Sequence, residues 1–235
     1  MVTRVERRPL PVWLAAGLLL AAALVVPPLR SLGEASMARQ MLVQMPLIVL
    51  AGWWMGAAWR RAPQASAAGR ARSFVDSFNA GGATGLVIAS FTMLLWMLPR
   101  SVDAARLDLG WDALKFATLA LGLGAAAAIS WPRCPPIARA VIHVEVIATF
   151  VRFGWGYAAS DERLCAAYLQ GDQRHAGTLL VVAGLIWAIA VAWRPLFGRV
   201  VAPGRVTSRG RVAAPGCVPV TDATSAGDRT RPATR

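Results

Sequence analysis

AGTLLVVAGLIWAIAVAW, residues 176–193, runs for 18 positions without one ionisable side chain. A helix of that length, rising about 1.5 Å per residue, spans about 27 Å, close to the roughly 30 Å hydrocarbon core of a bilayer. Five more stretches share the character: Leu10 to Leu29, Met37 to Ala58, Gly81 to Leu98, Asp112 to Trp131 and Ile137 to Ala158. Closed barrels are the other way to span a membrane, but their strands alternate apolar and polar residues, whereas these runs are continuously apolar. The expected fold is all-α: a polytopic transmembrane bundle of about six helices over residues 10–195, after a short N-terminus at 1–9.

The loops between the runs decide orientation. With Glu145 and Arg152 set aside because they lie inside a run, one side of the expected bundle carries 17 of the 25 Lys and Arg residues and four acids. The other side carries seven basic and seven acidic residues, so the whole formal charge of +13 falls on one side. Basic loops stay in the cytoplasm, which predicts both termini inside and the loops around Glu34, Asp103 and Asp161 outside. A basic excess explained by orientation gives no reason to expect nucleic acid as a partner; the expected partner is the lipid bilayer. The tail at 196–235 has seven Arg and two Asp among Gly, Pro, Ser, Thr and Val, too little apolar material to bury, and is expected to be a disordered cytoplasmic segment. The first run could instead be a cleaved signal peptide, with Gly33-Glu34-Ala35 as the cut. Its length and the intervening Pro27-Pro28-Leu29-Arg30 favour a retained helix.

Catalytic signatures are missing from the sequence. No phosphate loop, nucleophile elbow or zinc-protease motif occurs, and the three cysteines form no CxxC pair. Cys134 and Cys217 are expected inside and Cys165 outside, half-buried at the interface. His143 and His175 fall toward opposite faces, too far apart to share one haem. Gly122 and Gly124, like Gly154 and Gly156, read as close-packing positions between helices. A non-enzymatic membrane protein is the expectation.

Two constellations carry more chemistry. Glu145, Thr149 and Arg152 recur at i, i+4 and i+7 on one face of the fifth run. Ionisable residues in mid-membrane are costly and normally face the bundle interior, so the stripe either locks helices together or lines a proton or substrate route. Methionines form the second set: Met37, Met41 and Met45 step along the outer end of the second run, and Met93 with Met97 pairs at the outer end of the third. Thioethers are soft ligands that select Cu(I), although Met also fills gaps in ordinary cores. Pro46 is expected to kink the second helix unless neighbours satisfy the carbonyl it leaves free.

Two segments resemble a known family. Asp172-Gln173-Arg174-His175-Ala176-Gly177, leading into an apolar run with Trp187, is similar to the Asp-Gln-x-x-Ala-Gly segment that opens a late helix in CtaG-type cytochrome c oxidase assembly factors. Gln40-Met41, followed by Pro46 and Leu47-Ile48-Val49-Leu50-Ala51-Gly52, resembles the Gln-His segment ahead of a proline in the same family. Met41 stands where that family has His. The resemblance implies a protein that helps assemble a haem-copper oxidase by handling copper on the outer side, with an oxidase subunit or copper chaperone as partner. On that expectation Met37, Met41, Met93 and Met97, with His175, hold Cu(I), and Gln40, Asp172, Gln173 and Gly177 are the family-like positions. A small transporter or channel using Glu145, Thr149 and Arg152, or a ligand-free scaffold, is the alternative.

Overall fold

The computed structural model describes residues 10–63 and 66–197. The basic tail from 198 onward, with Cys217, and the N-terminus at 1–9 lie outside the described residues. Among those described the protein is all-helical, with nine helices: α1 Leu10–Val25, α2 Pro27–Glu34, α3 Met37–Trp59, α4 Ala67–Phe78, α5 Ala83–Met97, α6 Pro99–Leu107, α7 Leu109–Arg133, α8 Pro136–Ala159 and α9 Gln170–Phe197.

Proline sets the corners. A residue before proline is pushed out of the α region, while proline itself is well suited to the first helical turn. Val26 (φ −61°, ψ 132°) and Leu98 (φ −77°, ψ 132°) are extended for this reason, and α2 and α6 start on the prolines that follow them. The expected first run, Leu10 to Leu29, is therefore not one rod. It breaks at Val26, and α2 turns 72° away from α1.

Among the described residues three helices are long and apolar enough to cross a membrane: α3, α7 and the Gln170–Trp193 part of α9. Counting the bent pairs α1 with α2 and α4 with α5, the latter turned by 86°, gives five. Length and composition thus support three to five spans. The fifth run is helical as α8, but Arg139, His143, Glu145 and Arg152 dilute its apolar character.

Helix α3 packs against α1 and α7, α5 closes onto α7, and α8 pairs with α9 as an antiparallel hairpin. Close approach needs glycine at the crossings. A Cβ on Gly52 would sit 1.9 Å from the Ala120 carbonyl oxygen, and one on Gly124 would sit 2.3 Å from that of Val49. In the hairpin, Gly154 and Gly177 face each other's backbone at similar range, whereas Gly156 meets nothing. Gly177, a family-like position, is therefore a packing glycine.

Pro46 does not break α3. Its ring removes the N–H that would bond the Leu42 carbonyl, but the turn just before it, Gln40–Gln44, is a π-helix in which the Met45 N–H reaches the Gln40 carbonyl. The wider turn absorbs the misfit. It also slows the angular drift of a four-residue step, and Met37, Met41 and Met45 stay on the buried face at 0%, 2% and 4% exposure.

Candidate functional site: the junction of two distant segments

The start of α3 and the start of α9 meet at one end of the bundle. Asp172 Oδ2 accepts a 2.7 Å hydrogen bond from the Met37 backbone N–H, satisfying a donor that a helix start leaves free. Beside it the Tyr168 hydroxyl donates to Gln40 Oε1 and lies 3.1 Å from the Glu34 carbonyl. Gln173 is fully buried; its Oε1 accepts from Leu164 N–H, and its Nε2 donates to the Tyr157 and Glu162 carbonyls. Asp103 accepts from the N–H groups of Ala166 and Ala167. These bonds hold the 160–169 segment over the junction, and three of the four family-like positions, Gln40, Asp172 and Gln173, take part.

Under this cover lies a charge network. Lys115, with 0% side-chain exposure, stands 2.9 Å from Glu34 Oε1 and 2.7 Å from Asp112 Oδ1, the second an ion pair without hydrogen-bond alignment. Arg106 reaches Glu34 Oε2 at 2.7 Å, and Arg30 reaches Asp112 Oδ2 at 2.8 Å. Burial pushes the Glu34 carboxyl up, but the Lys115 hydrogen bond and the charges of Lys115, Arg30 and Arg106 outweigh it and hold the group below its ordinary range. The balance of seven basic and seven acidic residues expected on this side is in large part a set of ion pairs. Sequence reading passed over them, counting Lys115 only as loop charge. The signal was its position three residues after Asp112 at the head of an apolar run, where a buried lysine must find an acid.

The four expected methionine ligands are buried and His175 is not. Met37 and Met41 belong to the core cluster with Trp96, Tyr157, Tyr168 and Cys165. Met93 and Met97 are buried too, at 8% and 6%, but outside that cluster, and Met93 lines a cavity beside Glu145. His175 is exposed on the first turns of α9. Close to Met41, the Gln40 Nε2 and both amide atoms of Gln44 are buried and make no hydrogen bond within the protein, which is costly for polar groups.

The stripe on α8 is likewise divided. Glu145 is half-buried and accepts a 2.7 Å hydrogen bond from Ser90 Oγ; Thr149 is buried; Arg152 is exposed. Cys165 is fully buried rather than half-buried. Burial, with the nearby Asp103 charge, pushes its thiol up to about 12, which leaves little thiolate for metal or oxidant. A groove of about 570 Å³ beside Trp59, Phe74 and Phe78 has an almost wholly apolar lining and lies away from both constellations.

No protein-family model, curated protein or solved structure matches this chain. Its chemistry is carried by its own residues.

Proposed function

We propose that this chain is a non-enzymatic, six-span protein of the bacterial inner membrane, both termini cytoplasmic, which handles Cu(I) at its periplasmic end during assembly of a haem-copper oxidase. The observation that carries the reading is the junction itself. The two segments that resemble the assembly-factor family lie about 130 residues apart in sequence, yet each is bonded to the residues just ahead of the other: Asp172 to Met37, and Gln40 to Tyr168. Six spans are favoured because α8 pairs along its length with α9, which is apolar enough to cross.

The donor set suits a soft cation. Met37 and Met41, with Met45 one turn further, present thioether sulfur in a dry setting, and thioethers select Cu(I). The unpartnered Nε2 of Gln40 and the unpartnered amide of Gln44 mark the same turn of α3 as one where protein contacts alone leave polar groups unsatisfied. Copper would be cargo, passed to or from an oxidase subunit or a copper chaperone. The chain's own contribution is to exclude water and fix the start of α3 against α9.

Metal analysis of the purified protein, reconstituted with Cu(I) under reducing conditions, tests the reading. The expected result is about one copper per chain, lost in Met41→Leu and kept in Met93→Leu. Loss in both variants would restore the wider ligand set with Met93; absence of stoichiometric copper in the native protein would remove the function.

A further inference from the structure

Glu145 is the carboxylate that the ion-pair network does not absorb. Among the described residues it has no recorded ion pair, and its hydrogen-bond partner is the neutral Ser90 hydroxyl at 2.7 Å. It borders two spaces. One is a cleft of about 370 Å³ between α3, α5, α7, α8 and α9, walled by Trp53, Trp131, Trp187, His143 and Met93. The other is a shallower groove of about 500 Å³ between α5 and α8, lined by apolar side chains such as Phe91 and Val141. Ser90, Ile142 and Glu145 line both.

We propose that the cleft binds a lipophilic organic cation, a quaternary or protonated amine or its phosphonium equivalent, with Glu145 as counter-charge and the three indoles as walls. Indole faces are the strongest aromatic partners for such cations, and a carboxylate in a low-dielectric site repels anions. The volume falls within the roughly 300–1,000 Å³ typical of small-molecule sites. A hard metal ion lacks ligands there: among the described residues no three His, Cys, Asp or Glu side chains gather to hold one. His143 is already engaged, its Nδ1 accepting from Trp187 Nε1 at 3.3 Å while its ring lies edge-on to Trp131 at 5.3 Å. The imidazole therefore shapes the wall and orients two of the indoles. The apolar groove that shares Glu145 gives a route from the acyl-chain region, which suits a cation soluble in lipid. This site is separate from the methionine junction and does not depend on it.

The test is tryptophan quenching and calorimetry with tetraphenylphosphonium, using the full chain in nanodiscs of zwitterionic lipid, with uncharged triphenylphosphine oxide as control. Saturable binding of the cation is expected, weakened at least tenfold in Glu145→Gln, which keeps an acceptor oxygen for Ser90. Trp187→Leu should weaken it several-fold. Gly156→Ala, on the same helix but outside both linings, should bind within about twofold of the native protein, which separates loss of charge from a general disturbance of α8. Equal binding to native protein and Glu145→Gln, equal affinity for the uncharged control, or no saturable binding to the native protein would each overturn the proposal.

Discussion

The two places where this protein keeps charge in an apolar setting differ in one respect. At the junction end, Glu34 and Asp112 are each matched by cations within 3 Å, and the group closes on itself. At Glu145, among the described residues, the hydrogen-bond partner is a neutral hydroxyl. Compensated charge fixes a geometry: Arg30, Glu34, Arg106, Asp112 and Lys115 tie α2, α6 and α7 together where prolines have turned the chain. Uncompensated charge keeps capacity for something from outside. The same carboxylate chemistry thus serves architecture in one region and offers a binding function in the other.

Removing a partner from each region is the sharpest way to break this comparison. Lys115→Met deletes the most buried cation and leaves Glu34 and Asp112 facing each other with less compensation in a dry interior. Breaking a buried pair from one side costs about 3–5 kcal/mol, so a large fall in thermal unfolding temperature in detergent micelles is expected. A shift as small as that of a surface substitution would mean the network is solvated and not architectural. Acid probes the same group. The Glu34 carboxyl sits below its ordinary range when folded, so its contribution is complete above the usual carboxylate pKa and is lost as pH falls through the lower, folded value. Stability followed from about pH 6 to pH 3 should decline in the native protein. In Glu34→Gln the decline should be shallower, although the variant starts less stable.

Much of the fold was legible because membrane helices announce themselves by uninterrupted apolar runs, and the corners because proline constrains the residue before it. Val26 and Leu98 obey that rule, yet the run from Leu10 to Leu29 still read as one rod, since hydropathy does not register a bend. The ion pairs were hidden for a different reason. Glu34 meets Arg106 and Lys115 across 72 and 81 residues, and no local pattern records such a meeting. The contact between the start of α3 and the start of α9 was likewise not legible in the spacing of their residues. For the methionines the spacing implies the phase of a regular helix, but the π turn at Gln40–Gln44 changes it, and Met93 on α5 lines the cleft beside Glu145. Glu145 stood out from the start as an ion in a hydrophobic helix. Its cleft did not, because Trp53, Trp131 and Trp187 come from three separate helices.

Helix contact gives a middle-sized effect that both regions share. Gly52 lies where α3 meets α7, between the junction and the cleft, and any side chain there collides with the Ala120 backbone. Backbone cannot swing away as a side-chain end can, so Gly52→Ala must push the helices apart. Overpacking of this kind costs about 1–3 kcal/mol, read again as thermal unfolding in micelles. Gly156→Ala, at a position that meets nothing, should be nearly silent and serves as the control. A loss for Gly156→Ala as large as for Gly52→Ala would show that glycine in these helices matters for flexibility and not for approach.

The smallest expected effect is the most informative. Glu145→Gln removes a charge from the middle of an apolar helix and keeps an oxygen that Ser90 can reach, so the hydrogen bond survives in weaker form. A neutral hydrogen bond contributes only about 1 kcal/mol, and among the described residues no cation pairs with the lost charge. Thermal stability of the empty protein should therefore change by no more than about 1 kcal/mol, against several for Lys115→Met. A drop comparable to that of Lys115→Met would reveal a charged partner for Glu145 and make it a second structural anchor. A neutral or stabilising outcome would mean that the carboxylate is retained at some cost to the fold, which is the mark of a group kept for a ligand.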